Sequence, residues 1–356
     1  MKYGMVRAKA VVGFGTAREA ERPVAGIPAV ARMLREVARA GFTDAWVEVS
    51  AGPSIDAATT AEIHRLAPLL RVHFESPPDD VVAVRFPANR LISAEAIPDF
   101  LGDNAYASTD LNAPGATLEI LRGMGKSGDG FVSRWLNRPI SRQLSAILLR
   151  IPGIKPIHAT IGTGLIAMAM AAALVFGGRH GLIVGALLFQ GASIFDGVDG
   201  EIARTTFRTS RTGAALDSAI DAATNFAAML GMAINLALRG QHDALVLVAW
   251  GLALLLLGWT MIGLRSLRET GSVSFDGVKH RYRARSSGPI AARLMALATL
   301  GTSRDFCALV YLFLVLAGIP IAGLYLFAAV TPVWILFVIA ALWPWRGGPA
   351  ASEGAV

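Results

Sequence analysis

Asp196-Gly-Val-Asp199-Gly200-Glu201-Ile-Ala203-Arg204 is followed, after eight residues, by Gly213-Ala-Ala-Leu-Asp217-Ser-Ala-Ile-Asp221. This stretch decides the fold, because its four aspartates fall at the junction of two apolar runs long enough to cross a bilayer. Ionised side chains at membrane depth are costly and mark function by default. Asp196 and Asp199 are three residues apart, and Asp217 and Asp221 four apart, so each pair projects from one side of its own helix. Two such helices side by side point four carboxylates into one small volume. Like charges that close cannot all ionise without a compensating cation, and an all-oxygen ligand set suits Mg²⁺, Mn²⁺ or Ca²⁺ rather than zinc. Glu201, beside the cluster, reads as a solvated interfacial residue.

Outward from this stretch, the 356-residue chain is 54% hydrophobic and only 17% charged, with a mean hydropathy of +0.51. That excludes an ordinary soluble protein, and the excess lies after about residue 155. Uncharged stretches of spanning length run from Pro156 to Gly178, from about Gly181 into Asp196, from Asp221 to Leu238 and from Ala244 to Leu264. The charge-free run Phe306–Trp345 is too long for one span of about 20 residues. Gly318 and Pro320 divide it, so the expectation is an all-α transmembrane domain of six helices. The net charge of +7 and pI of about 10.0 come from arginines beside the apolar segments, as in a membrane protein with basic inner loops, and not from a nucleic-acid surface. Arg204, Arg208 and Arg211 lie in one loop; Arg265, Arg268, Lys279, Arg281, Arg283, Arg285, Arg293 and Arg304 lie in another. The positive-inside rule then places both termini and the aspartate face in the cytoplasm, at the inner membrane. Cys307, the single cysteine, excludes an intramolecular disulfide and a cysteine-built zinc site. No cleavable signal is legible after Lys2, Arg7 and Lys9.

Residues 1–120 read as a small α/β cytoplasmic domain, with strands at Ala8–Phe14, Thr43–Val49, Arg71–Phe74 and Val81–Phe86 and a helix at Ile27–Ala40. Residues 121–155 form a linker and an amphipathic helix, Val132–Ile151, lying at the interface and ended by Pro152. Residues 156–345 hold the spans, and 346–356 form a short tail.

The fixed positions Asp196, Asp199, Gly200, Ala203, Arg204, Gly213, Asp217 and Asp221 match the signature of the CDP-alcohol phosphotransferase (phosphatidyltransferase) family with no departure. What the resemblance implies is transfer of a substituted phosphate from a CDP-linked alcohol to an acceptor hydroxyl, with release of CMP. It further implies Asp196, Asp199, Asp217 and Asp221 as ligands of Mg²⁺ or Mn²⁺, with two ions, and Asp221 as the catalytic base. CDP would lie against Asp199, Gly200, Ala203, Arg204, Gly213 and Asp217. A homodimer is expected from the family alone. Charge neutralisation by metal is what attack on a pyrophosphate requires in any case.

The segment Asp129-Gly-Phe-Val-Ser-Arg134-x-x-Asn137-Arg138-x-Ile140-Ser141 resembles the pre-membrane segment of the bifunctional inositol-phosphate cytidylyltransferase / di-inositol-phosphate phosphate synthases. It implies a polyol-phosphate substrate, with Arg134, Arg138, Lys279 and Arg281 as an acceptor or phosphate pocket. Val12-Gly13-Phe14-Gly15-Thr16-Ala17-Arg18, then Arg22-Pro23, resembles the glycine-rich opening of a truncated, Rossmann-type nucleotidyltransferase domain. Here Arg22 replaces the family's lysine, and an asparagine (Asn89) stands where a metal-binding carboxylate is sought. The expectation is a degenerate domain, so that another enzyme supplies the CDP-linked donor. The residues also leave open a transporter or ion pathway built on the buried carboxylates, a silent scaffold, and a bifunctional enzyme that keeps its cytidylyltransferase activity.

Overall fold

The computed structural model describes residues 9–51, 54–125, 130–270 and 304–342. They divide into two compact units, Met1–Gly128 with Arg138–Thr160 and Phe195–Leu216, and Asp129–Asn137 with Ile161–Ile194 and Asp217–Val356.

The first unit is built on strand β1 (Lys9–Thr16), followed by α1 (Ala17–Glu21), the short strands β2 (Pro23–Val24) and β3 (Ile27–Pro28), and α2 (Ala29–Arg39). Then come β4 (Asp44–Ala51), α3 (Ala57–Leu66), β5 (Arg71–His73), β6 (Val84–Pro87), β7 (Arg90–Ile92), α4 (Ile97–Leu101), β8 (Ser108–Asp110) and α5 (Ala116–Gly123). Four strands pair in parallel in the order β5-β4-β1-β6, with Val12 of β1 between Val47 and Phe86. The βαβ unit expected from the periodicity is present, and β1 is central because Ala10, Val11 and Val12 carry no charge to either face.

The glycine-rich segment takes a different form from the loop that its resemblance implies. Strand β1 runs through Gly13 and Gly15 to Thr16, and α1 begins at Ala17 without an intervening loop. Thr16 caps α1 by accepting from the Glu19 amide at 3.2 Å, while the Glu19 carboxylate accepts from the Gly15 amide at 3.0 Å. Thr-x-x-Glu is a capping-box pattern, and the chain's own carboxylate takes the place an anion would seek at that helix start. Arg22 donates to the Leu111 carbonyl and to Asn112, both at 2.7 Å.

A π-turn, Ser133–Asn137, precedes α6 (Arg138–Leu148). The expected amphipathic helix is there, but its polar stripe faces inward. Ser141 and Ser145 are fully buried, while Ile140 and Ile147 are exposed. The reason is Glu201, described below, which needs donors where it is buried.

The apolar helices are α7 (Pro156–Phe176), α8 (Gly178–Thr205), α9 (Arg211–Leu238), α10 (Asp243–Thr270), α11 (Arg304–Leu316) and α12 (Ile321–Leu342). Among the described residues five of them, all but α11, are long and apolar enough to cross a membrane. The described part of α11 has 13 residues, short of the roughly 20 a crossing needs. Gly318, at φ +78°, makes the expected break between α11 and α12. α10 and α12 pack without a gap: a Cβ on Gly251 would lie 2.4 Å from the Phe327 ring, and one on Gly258 2.2 Å from the Trp334 ring. Both steps are seven residues in the same direction, so these two helices run parallel.

Candidate active site

α8 and α9 are continuous through the aspartate stretch, so the motif lies within helices rather than in a loop between them. α8 carries Asp196, Asp199, Gly200, Ala203 and Arg204 over its last three turns; α9 carries Gly213, Asp217 and Asp221 over its first three. Ser210 caps α9: its Oγ accepts from the Gly213 amide at 2.9 Å. A Cβ on Gly213 would stand 2.8 Å from that oxygen, so the glycine leaves room for the cap. Gly200 leaves room for Arg204, whose guanidinium lies 3.0 Å from where its Cβ would be and whose Nε donates to the Met124 carbonyl at 2.9 Å.

Asp196 on α8 and Asp217 and Asp221 on α9 are all half-buried, and Asp217 and Asp221 stand one turn apart on their helix. Asp221 is also paired with Arg304. The fourth aspartate, Asp199, is buried and accepts from Thr160 Oγ1 at 2.7 Å. Carboxylate oxygens are hard donors of the kind that suit a small divalent cation.

Glu201 differs from its sequence reading. It is not solvated but 3% exposed, accepting from Ser141 Oγ at 2.7 Å, Ser145 Oγ at 2.6 Å and Arg138 Nη1 at 3.1 Å. A buried carboxylate persists only when its oxygens are filled in this way. The spacing of Arg138, Ser141 and Ser145, three then four residues, was the available signal that one face of α6 meets a buried acid. Arg138 also lies over Gly197, where a Cβ would come within 2.6 Å of Nη1. Of the other residues assigned to a phosphate pocket, Arg134 is exposed, and Lys279 and Arg281 lie outside the described residues.

A second buried network was not foreseen. Asn137 donates to Ser193 Oγ at 3.1 Å, Gln190 donates to Asn137 at 3.0 Å, and Ser193 donates to Asp305 at 2.7 Å. In the same unit an apolar cavity of about 260 Å³ is lined by Phe226, Trp259, Phe327 and Trp334, with Asn225 and Arg304 supplying polar groups.

The α8 terminus is capped in an unusual way. The Phe207 amide donates to the Arg204 carbonyl at 3.2 Å and the Arg208 amide to Ala203 at 2.8 Å, the two bonds of a Schellman turn. The residue at its left-handed position is Phe207, φ +53°, where glycine is usual. Arg32, which burial pushes down to a pKa of about 10 against the pull of Glu36, donates to the Thr205 carbonyl at 2.9 Å. Arg65 donates to Thr206 at 2.9 Å and to Phe207 at 3.1 Å.

Long apolar helices, two of them bearing the aspartates, define a multi-pass membrane protein. Residues 156–343 match the CDP-alcohol phosphatidyltransferase family, and the chain belongs to it; it is a transferase of that family. The chain is also similar to proteins named "Bifunctional IPC transferase and DIPP synthase". It is 38% identical over 109 residues to that of Aquifex aeolicus, covering 31% of this chain and 24% of the relative. To that of Thermococcus kodakarensis it is 40% identical over 95 residues, 27% and 21% respectively. To that of Rubrobacter xylanophilus it is 36% identical over 135 residues, 37% and 30%. The matched segments thus span less than a third of each of these relatives.

Proposed function

We propose that this chain is a divalent-metal-dependent CDP-alcohol phosphotransferase. The observation that carries the reading is the family match together with the four aspartates set out on helices α8 and α9, Asp221 being paired with Arg304. Asp196, Asp199, Asp217 and Asp221 would hold Mg²⁺ or Mn²⁺. When bound, the metal neutralises phosphate charge and orients the donor.

The chain's own residues do the rest. Arg204 would pair with phosphate oxygens of the CDP moiety, held in place by Met124. Gly200 and Gly213 keep Cβ atoms away from the nucleotide, with Ala203 and the ligands Asp199 and Asp217 lining the same face. Asp221 accepts the proton of the acceptor hydroxyl. That oxygen forms a bond to the substituted phosphorus as the pyrophosphate P–O bond breaks, and CMP leaves with the electron pair. Arg304 compensates the charge on Asp221 until the acceptor arrives.

The donor is a CDP-linked alcohol, CDP-diacylglycerol or a CDP-polyol such as CDP-inositol, and the acceptor an alcohol or polyol phosphate. The similarity to proteins named as DIPP synthases supports the polyol side of that choice; the apolar cavity beside Arg304 supports a lipid on one substrate. Arg138 is committed to Glu201, so in this reading it shapes the site and Arg134 is the freer candidate for a phosphate. In this reading residues 1–120 make no nucleotide: Glu19 and Arg22 are engaged within the fold. The same reading takes α11 as a sixth crossing, puts the aspartate face and both termini in the cytoplasm, and takes a homodimer as the working state.

The test incubates purified protein with Mg²⁺ or Mn²⁺, a panel of CDP-alcohols and candidate acceptors, and follows CMP release. Asp221→Asn should abolish turnover and leave donor binding largely intact. No CMP from any donor at saturating metal refutes the enzymatic reading, and ion flux in vesicles would favour a transporter instead.

A further inference from the structure

The last carbonyls of a helix have no partner within it. At the end of α8 the Schellman bonds use those of Ala203 and Arg204. The next three, Thr205, Thr206 and Phe207, are all taken by Arg32 and Arg65, residues more than 140 positions earlier in the sequence. Their positive charge also suits the negative end of the helix dipole. Phe207 holds a left-handed backbone conformation that is unfavourable for a non-glycine residue, and its ring centroid lies 3.5 Å from the Arg35 guanidinium and 5.5 Å from that of Arg32. Arg208 pairs with Glu62 at 3.3 Å, and Gly26, φ +79°, lets the β2–β3 turn approach Thr206 so closely that a Cβ would come within 3.2 Å. Beneath these contacts, Val198 and Ile202 of α8 belong to the same buried cluster as Val12, Ile27, Leu34 and Val47.

We propose that the amino-terminal α/β domain is a brace for the catalytic helix: Arg32 and Arg65 are positioning residues that fix the end of α8 and so the placement of Asp196 and Asp199. The domain thereby has a role in the transferase reaction without binding any nucleotide. Its activity arm rests on the proposed function; its structural arm does not.

The experiment uses the full chain in detergent micelles. Arg65→Ala, Arg65→Lys and, as a control on the same domain, Arg85→Ala (an exposed partner of Glu48) are compared with the unaltered protein. The first readout is amide hydrogen exchange of peptides covering 199–208. Arg65→Ala removes two charge-assisted hydrogen bonds to the end of α8, besides the two that Arg65 makes to Glu62, and exchange there should quicken by about tenfold or more. Arg85→Ala should leave it unchanged. The second readout is CMP release at varied Mg²⁺. Arg65→Ala should raise the half-saturating Mg²⁺ concentration several-fold with acceptor KM unaltered, and Arg65→Lys, lacking the planar fork, should restore only part of this.

Unchanged exchange at 199–208 in Arg65→Ala overturns the brace. Faster exchange with unaltered metal dependence overturns the positioning role. Should alanine open the sheet as well, seen as faster exchange in β1 and β4, the lysine variant decides in the same two ways. If the unaltered protein releases no CMP, the proposed function fails, and the exchange result alone still decides whether the brace exists.

Discussion

Replacing Glu201 is the sharpest test of how the site is held. Glu201 is 3% exposed and its partner Arg138 11% exposed, and the two serine hydroxyls that complete the cage are fully buried. Glu201→Ala leaves a guanidinium and two hydroxyls facing the space the carboxylate filled. Removing one partner of a buried ion pair costs about 3–5 kcal/mol. Glu201→Gln keeps the volume and one acceptor, and loses the charge-assisted component, about 1.5–3 kcal/mol. Unfolding of a multi-pass protein is rarely reversible, so the assay is the fraction surviving a heat step, read by size-exclusion. Scaled by roughly 2–4 °C per kcal/mol, alanine should lower the apparent midpoint by about 6–20 °C, and glutamine by less. The pairing is isolated by adding Arg138→Met: the double variant should lose less than the sum of the two single losses, by more than about 1 kcal/mol. An alanine variant within a degree of the unaltered protein, or strict additivity, would refute the reasoning and return Glu201 to the solvated surface.

Three further outcomes follow from the geometry. Thr160→Val removes the donor to buried Asp199; the half-saturating concentration of Mg²⁺ for CMP release should shift by several-fold, and an unchanged value would separate Asp199 from the metal. Gly258→Ala sets a methyl 2.2 Å from Trp334, an overpacking that costs about 1–3 kcal/mol. Folded yield should fall, and Trp334→Leu in the same chain should recover part of it. The Glu62 carboxylate is held below its ordinary value of 4.5, chiefly by its hydrogen bonds with Arg65, with burial opposing. A depressed carboxylate contributes stability that is present above the unfolded value and lost as pH falls through the folded one. The difference in heat survival between the unaltered protein and Glu62→Gln should therefore be full at pH 7 and shrink below 4.5; a difference that grows with acid would reverse the sign of the argument.

The helices that carry the candidate site were legible because their signal is local. Two helical repeats, Asp196/Asp199 and Asp217/Asp221, announce their faces by spacing alone, and an uncharged run followed by Gly318 and Pro320 announces a helix break. The βαβ unit was legible for the same reason, from the short apolar run of β1 and the apolar periodicity of α2. What escaped depends on partners far away in sequence. The polar side of α6 looked like a face for water or lipid headgroups, because nothing near Ser141 says that a carboxylate 60 residues on will be buried against it. Val12–Arg18 resembles a glycine-rich nucleotidyltransferase opening, and its Thr16, with Glu19 three residues on, also spells a helix cap. The Schellman turn at Phe207 gave no cue at all, since the expected glycine is absent and the compensation comes from Arg32, Arg35 and Arg65.

The parallel alignment of α10 and α12 has a topological consequence. Two membrane helices that point the same way can be joined only by a connection that traverses the bilayer an odd number of times. Between Thr270 and Ile321 the one described helix is α11, and the sixth crossing proposed for it would satisfy that parity. Leu342 then emerges on the same leaflet as Arg265 and Arg268, so an epitope attached after the last helix and one inserted near Thr270 should be protected, or cleaved, together.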